Sequence, residues 1–591
     1  MKKITFIILM ISLALSSCQK DILEKKPLDI ISDDILWKDP ALLDAYLLNC
    51  YNEIGFIADI EYKGDRNWFP LMTQITIGDE CSLGFGQYLR PDHRLGKSYL
   101  LRADITFTDY WAYSLVRKLN EFIERVPDSP IDENFKKLRT AEARFLRAFC
   151  YFNMVKRYGG IPIIITPQSI KEPLEELQVK RDTEEAVYDF ILTELDAIVN
   201  DLQDIKDGKG RPTKYAVLAL SSRVAMYAAS IATWGQVQLD GIIGIPANKA
   251  QQYWQKSYDA SNAIITSGKF QLYNKMPDDK TSNFRNIFLD ENNVEVIFSE
   301  IYDGRSGKGH QWDFLNNPTG LQAWATGSCG SPYLEMAEEF EYKDGSPGII
   351  DRKKIGEGYL WTIEELYGQR DPRFHASILT QGSKWLGQTL NMYKGIITED
   401  GTIINTGTYK GISSMGINTR NFPTQNSFTL LKYQDESMGI AAYYGDNGVS
   451  KTDWIVFRYS EILLNFAEAT FELGKTTEAL DAVNKIRDRA GIAFLTSIDR
   501  DKIRHERKVE LFAEAHRYWD VRRWRTAETE LSKKLSNLRY ILDYKTRKFK
   551  LQIEKDHDGA FAQPFLPKHY YYPIGLNRTN NNPNLVENPG Y

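Results

Sequence analysis

Residues Ala141–Pro162 read AEARFLRAFCYFNMVKRYGGIP. Ala141, Phe145, Ala148, Phe149, Phe152 and Val155 recur at three- and four-residue steps, which places them on one face of a helix. Gly159-Gly160 supply a stop, and Pro162 lies just beyond it. The spacing predicts one long helix over 132–158. The same period recurs on both sides. It runs over 33–51, divided at Asp39-Pro40, where Asp39 can cap and Pro40 fits a first helical turn. It runs over 109–125, ended by Pro127, and again from Thr183, with acidic residues in the first turn. Gly210-Arg211-Pro212-Thr213 then precedes KYAVLALSSRVAMYAASIA, whose Ala and Ser spacing predicts a buried helix that others approach closely. One more helix is expected over 250–267.

From about residue 278 to 453, Gly, Asn, Thr and Ser become frequent and helical periodicity weakens, which predicts a loop-rich stretch with short strands. Helices are expected to return at Trp454 with WIVFRYSEILLNFAEATFELG, followed by TTEALDAVNKIRDRAGI. Ala467 and Ala479 flank Gly474 with the small-residue spacing of a tetratricopeptide-type hairpin. A single helix is expected over 501–524. The Pro- and Asn-rich tail over 564–591 is expected to wrap the surface.

The chain opens MKKITFIILMISLALSSCQK. Lys2 and Lys3 form a positive n-region. The apolar run from Ile4 to Leu15 is the length of a signal-peptide core and too short to span a bilayer. Leu15-Ser16-Ser17-Cys18 resembles the lipobox of bacterial lipoproteins. That resemblance implies cleavage before Cys18 and its lipidation, and several acyl chains anchor stably where one does not. The polar stretch after Cys18 reads as a tether. The formal net charge is −5 and becomes −7 when Met1 to Ser17, with Lys2 and Lys3, are removed. This balance argues against nucleic-acid binding. No uninterrupted apolar run of membrane-spanning length follows the signal. Cys50, Cys81, Cys150 and Cys329 form no CxxC pair, so a zinc site is unsupported. One or two disulfides fit an exported protein, while Cys150, inside a helical pattern, reads as a buried thiol.

Several segments together resemble the SusD/RagB family of outer-membrane lipoproteins of the Bacteroidetes. They are Ala141 to Pro162, GRPTKY at 210–215, SPYLEMAEEFEYKDG at 331–345, DPRF at 371–374, FRYSEILLNFAE at 457–468, Ile503 to Trp524, and the closing stretch to Asn588-Pro589-Gly590-Tyr591. The matches follow family order over nearly all of the mature chain. The resemblance implies a mainly α fold. Four tetratricopeptide-like helix pairs form a scaffold that carries a loop-rich ligand-binding portion with short strands. The expected division is 1–17 signal peptide, 18–28 lipidated Cys18 and tether, 29–277 N-terminal helical region and 278–591 C-terminal region, in one globular body. The last region divides into 278–453, loop-rich, and 454–591, helices and tail. The resemblance further implies a surface lipoprotein that captures a nutrient, usually a glycan, for a SusC-like TonB-dependent transporter. Peptide capture is the variant on the RagB side of the family.

No cofactor or metal motif stands out. His505-Glu506 begins like a zinc-protease motif, but Val509 occupies the second His position. A tethered glycoside hydrolase needs two specific carboxylates, and Asp79-Glu80 and Glu338-Glu339 read as solvated turn or helix residues. Arg507, Arg517, Arg522 and Arg523 crowd one segment with Glu510, Glu514 and Asp520, which predicts structural ion pairs. The chain has 33 Tyr, 28 Phe and 12 Trp, and such rings bury one face while keeping a polar handle. Sugars offer C–H faces for stacking and hydroxyls for amides, so Trp in loop-rich sequence leads the ligand-binding candidates. Trp312 and Trp324 come first, with Gln311 beside Trp312. Asn67-Trp68, Trp361 and Trp385 follow, and core packing or loop anchoring competes at each. Trp454, Trp519 and Trp524 read as packing residues.

Overall fold

The computed structural model describes residues 33–56, 75–83, 109–204, 210–304, 308–321, 327–419, 427–441, 449–555 and 564–591. The signal segment, Cys18, Asn67, Trp68 and Trp324 lie outside the described residues.

The scaffold begins with six helices: α1 (Pro40–Glu53), α2 (Tyr113–Arg125), α3 (Glu133–Tyr158), α4 (Glu184–Ile198), α5 (Lys214–Trp234) and α6 (Ala250–Thr266). Local chemistry sets their ends. Asp39 accepts from the amides of Ala41 and Leu42 at the start of α1, with Pro40 in its first turn. Asp132 caps α3 through the Phe135 amide, Thr183 caps α4 through Ala186, and Thr213 caps α5 through Tyr215. Gly159 ends α3 at φ +75°, where a Cβ would meet the Ile242 carbonyl at 3.0 Å and the Tyr571 ring at 3.3 Å. The chain then crosses the loop-rich portion, which carries α7 (Trp312–Asn316) and α8 (Arg352–Gly356). It returns as α9 (Tyr459–Glu472), α10 (Thr476–Ala490), α11 (Arg500–Glu510) and α12 (Arg517–Arg523).

Helices pack in sequence: α1 on α2, α3 on α4, α5 on α6, and α9 on α10. These are four consecutive helix pairs. Helix α6 packs directly on α9, so the loop-rich portion is an insertion between two scaffold neighbours. Helix α5 is long and apolar enough to cross a membrane by length and composition, yet it is largely buried in this core. Its small residues permit close approach: Ser222 Oγ lies 2.7 Å from Ser261 Oγ of α6 and accepts from Asn465 Nδ2 of α9 at 3.2 Å.

Short strands tie the insertion to the scaffold. They are β1 (Cys81–Leu83), β2 (Val296–Glu300), β3 (Gly330–Pro332), β4 (Leu360–Trp361), β5 (Ile396–Ile397), β6 (Ile403–Ile404), β7 (Trp454–Arg458), β8 (Asn537–Asp543) and β9 (Phe549–Glu554). Strand β1 pairs with β3, β2 pairs with β7, and a five-stranded sheet runs β4-β9-β8-β5-β6. Three expectations are corrected. WIVFR is strand β7 and not the start of a helix. Its bulky run is buried on both faces and pairs with VIFSE, Trp454 opposite Glu300. The 501–524 segment breaks between α11 and α12, with Ala513 and Ala515 at positive φ. The break turns the Glu510 and Phe512 carbonyls toward Lys432 Nζ, which donates to both. The tail packs inward: Tyr571, Tyr572 and Ile574 are buried, and Asn588 Nδ2 donates to the carbonyls of Tyr158 and Tyr572. Cys50, Cys81, Cys150 and Cys329 are all buried free thiols, so no disulfide joins them.

Candidate functional site

Of the expected ion pairs, those of Arg507 and Arg523 with Asp520 form, whereas Arg517 pairs with Asp79 and Glu530, and Glu510 and Glu514 pair with cations outside the 501–524 segment. Arg458 of β7 reaches Glu295 (2.8 Å), Glu510 (2.7 Å) and Glu514 (2.7 Å), all buried. Arg489 of α10 joins Glu295 and Glu510, and Arg373 of the DPRF turn joins Asp371, Glu506 and Glu510. Burial would raise the Glu510 carboxyl, but Arg489, Arg458 and Arg373 outweigh it and hold it well below the ordinary range. Arg507 and Arg523 share Asp520, and Arg523 also holds Glu468. Asp79 and Glu80 are buried, not solvated: Asp79 pairs with Arg517 and Lys508, and Glu80 accepts from the Ala513 amide. A charged block thus fixes the insertion to α9–α12.

On this block stands α7. Trp312 is 1% exposed, and its indole N–H donates to the Lys432 carbonyl at 2.8 Å. Its ring packs against Tyr433 and Trp454. His310 lies beneath it, with Nδ1 accepting from the Trp312 amide and Nε2 against the Thr452 carbonyl at 2.9 Å. Burial pushes His310 down to about 4, so the ring is neutral at pH 7. Burial likewise pushes Asp313 up to about 7; its Oδ1 accepts from the Asp435 amide, and its Oδ2 has no hydrogen-bond partner. Asn316 Oδ1 accepts from the Gly330 amide, and Asn317 Oδ1 accepts from the Trp385 indole at 2.8 Å.

These positions correct the Trp candidates. Trp312, Gln311 and Trp385 are buried, and Trp361 is 7% exposed in the sheet beside Tyr359. No face of Trp312 or Trp385 is open to a sugar ring; burying these large rings in packing is the stronger driving force. They are structural supports. Trp324 lies outside the described residues, but both ends of its segment are fixed here. The Ser328 amide donates to the Asn317 carbonyl and the Leu321 amide to the Pro318 carbonyl, both at 2.9 Å. Leu321 packs in one cluster with Trp385. The structure therefore brings together Trp312, Trp385 and the two anchors of the segment that carries Trp324.

Beside α7 runs a cleft of ≈ 430 Å³ with a floor of Phe288 and Ile455 and a rim that includes Asp290, Asn292, Asp435, Lys451 and Asp453. None of these was a sequence candidate. The signals that could have found them are the polar turn Asp290-Glu291-Asn292-Asn293 before β2 and Lys451-Thr452-Asp453 before β7. Burial would raise Asp290, but the Lys275 ammonium and the Tyr273 hydroxyl outweigh it and keep its carboxyl low. Asp453 accepts from the Tyr302 amide. Such a rim offers carboxylate, amide and ammonium groups to hydroxyls. The carboxyls that burial raises among the described residues, Asp313, Glu80 and Glu184, do not line it. Among the described residues no group of His, Cys, Asp and Glu has metal-binding geometry.

A family model described as the SusD family matches residues 294–591, just over half of the chain. The chain belongs to the SusD family. A second model, described as starch-binding associating with outer membrane, matches 93–226. Among relatives, the SusD-like protein P2 of Formosa agariphila is 24% identical over 88% of this chain and 90% of its own length. A SusD-like protein of Bacteroides ovatus is 23% identical over 89% and 83%. A crystal structure of a SusD-like protein from Bacteroides fragilis superposes with TM-score 0.72 at 26% identity, over 96% of this chain and all of that one. A second from that species, described as a SusD-like carbohydrate binding protein, superposes with TM-score 0.69 at 22% identity, over 93% and 100%. The helix-pair scaffold is that of the family. The segments quoted for the SusD/RagB resemblance now have physical content: Arg211, Arg373, Arg458, Glu461, Glu468 and Arg523 are ionic pins between scaffold elements.

Proposed function

We propose that this SusD-family protein is a non-enzymatic lipoprotein, anchored through Cys18 at the outer membrane and facing the exterior. It captures an oligo- or polysaccharide and passes it to a SusC-like TonB-dependent transporter. The observations that carry the reading are the buried base of Trp312 and Trp385, which holds Leu321 and Ser328 on either side of the sequence that carries Trp324, and the polar-rimmed cleft beside α7. Trp324 supplies the stacking ring, and Asp290, Asn292 and Lys451 offer partners to hydroxyls. Asn67 and Trp68 are proposed as further contacts. The family description of starch binding, and the carbohydrate binding attributed to one structural relative, support a glycan over a peptide. The non-enzymatic reading is supported by the placement of the raised carboxyls: a glycosidase keeps a protonated acid facing a carboxylate across the substrate, and Asp313, Glu80 and Glu184 are sequestered in packing.

The test is a screen of the mature chain on a glycan array with matched peptides, followed by chromatography of any bound glycan after prolonged incubation. The expected result is retention of an intact glycan class. Retention of peptides alone, or release of shortened products that vanishes with one carboxylate substitution, overturns the reading.

A further inference from the structure

A cavity of ≈ 20 Å³ lies where the inward-packed tail meets α3, α4, α5 and α12. Its wall includes Glu184 and Tyr188 of α4, Tyr227 of α5, Arg522 of α12, and Arg525 and Tyr571. Glu184 and Tyr188 are fully buried, and Arg522 is 3% exposed. Arg522 donates through Nη2 to the Tyr570 carbonyl, while its Nε and Nη1 have no hydrogen-bond partner. No other arginine among the described residues has two buried nitrogens in that condition. The Tyr188 hydroxyl and Glu184 Oε1 are unpartnered as well.

The charge at this wall is lopsided. Arg523, which also lines the cavity, is neutralised by Glu468 and Asp520. Its neighbours differ, because neither Arg522 nor Arg525 has a carboxylate within salt-bridge distance among the described residues. Arg522 packs among the rings of Tyr518, Trp519 and Tyr572, and Arg525 donates to the Tyr571 hydroxyl at 2.6 Å. Tyr571 in turn donates to Glu184 Oε2 at 2.7 Å, which also accepts from the Gly244 amide at 2.6 Å. Glu184 is the one acid among the described lining residues, and burial raises its carboxyl, so it is a poor counter-charge for two guanidinium groups. A buried cation without a counter-charge is costly. A water molecule would satisfy the free N–H groups but leave their charge in place. The volume holds one water-sized species, which excludes an oxyanion or a sugar.

We propose that this cavity binds a monatomic anion, a halide such as chloride, held by Arg522 and the Tyr188 hydroxyl. The ion supplies the missing counter-charge and ties α12 and the tail to α4. Hydrogen bonds to a charged group are stronger than neutral ones, so the contact is a strut between these elements. The inference is independent of the glycan reading. The competing account is a single structural water.

The test compares thermal melts of the mature full-length chain in sodium chloride, sodium bromide and sodium gluconate at one ionic strength, together with crystals grown in bromide. The melting temperature is expected to rise along a saturating curve with chloride or bromide and not with gluconate, as ligand linkage requires. An anomalous bromide peak is expected in the cavity, in contact with Arg522 and Tyr188. Tyr188→Phe keeps the ring and removes the hydroxyl. It is expected to move the midpoint of the halide curve upward by about tenfold, the worth of one hydrogen bond to a charge. Arg522→Met is expected to abolish the halide-dependent shift; should it fail to fold, Tyr188→Phe and the bromide crystals still decide. Equal melting in all three salts overturns the proposal, as does a halide shift that Tyr188→Phe leaves unchanged. Density at the site without anomalous signal assigns it to water and overturns the proposal. A bromide peak in a protein whose stability ignores halide marks an adventitious ion only and overturns the strut.

Discussion

Two seams hold this molecule together, and they are built from opposite materials. Between α5, α6 and α9 the contact is made mainly by uncharged groups: Ala and Ser, the ring pairs Trp234–Trp254 and Tyr258–Phe466, and hydrogen bonds among Ser222, Ser261 and Asn465, with Arg223–Glu461 as the single ion pair between α5 and α9 among the described residues. Between α9–α12 and the loop-bearing insertion, the contact is a buried lattice of Arg, Lys, Glu and Asp around Arg458 and Glu510. The first seam joins regular helices, where small side chains allow close approach and van der Waals packing suffices. The second joins irregular backbone to helices, where no regular ridge-and-groove surface exists. Directional, charge-assisted hydrogen bonds fix the geometry there. A buried ion pair is weak evidence for net stability, but breaking one leaves a charge uncompensated. The two seams should therefore fail differently.

Glu510→Gln removes the counter-charge shared by Arg458, Arg489 and Arg373, and is expected to cost about 3–5 kcal/mol in urea-denaturation stability. A loss within about 0.5 kcal/mol, the range of an ordinary surface substitution, would show that the lattice is dispensable. Ala228→Leu in α5, at a fully buried position, is expected to cost about 1–3 kcal/mol by overpacking, with the ionic seam intact. Ser222→Ala should cost about 1 kcal/mol, because only hydrogen bonds are lost.

Acid should find the ionic seam first. Glu510, Glu514 and Glu468 have folded-state values below the ordinary 4.5 because arginine or lysine contacts outweigh burial. Their contribution is present above about pH 4.5 and is lost as pH falls through the folded values. Glu80 and Asp313 act with the opposite sign. Burial raises Glu80 to about 8 and Asp313 to about 7. Between about 4 and those values the unfolded chain ionises while the folded one stays protonated, so stability falls as pH rises. Asp313→Asn is therefore expected to stabilise slightly at pH 7 and not at pH 4, read as melting temperature at the two values. An equal shift at both pH values would contradict the assignment of a protonated Asp313.

Much of the scaffold was legible because its rules are local. Period, caps and stops set α1 to α6: Asp39 caps where the sequence placed it, and Asp132, Thr183 and Thr213 turn out to cap the helices expected to begin at or just after them. What failed to read depended on distant partners. Trp454–Arg458 looks helical beside FRYSEILL, but its partner is Val296–Glu300, far away in sequence. The break after Glu510 serves Lys432. The β8–β9 hairpin fell inside a region read as helices and tail. Asp79 and Glu80 looked solvated because Arg517 and Ala513, which hold them, lie in the opposite half of the chain. The Trp candidates were chosen by loop-like flanks, and those of Trp312 belong to a short buried helix. Composition identifies a ring near an amide but does not say which side of the ring is covered.

The central claim is that Trp312 builds the base and Trp324 contacts the ligand. It is tested by isothermal titration of the array-selected glycan against the mature protein, Trp312→Ala and Trp324→Ala, each with its thermal melt. The account predicts that Trp324→Ala keeps the wild-type melting temperature and loses at least about tenfold in affinity, about 1.4 kcal/mol. It predicts that Trp312→Ala loses about 3–5 kcal/mol of stability as a buried large-to-small change. Unchanged affinity in a well-folded Trp324→Ala, with tenfold weaker binding in an equally stable Trp312→Ala, would contradict it.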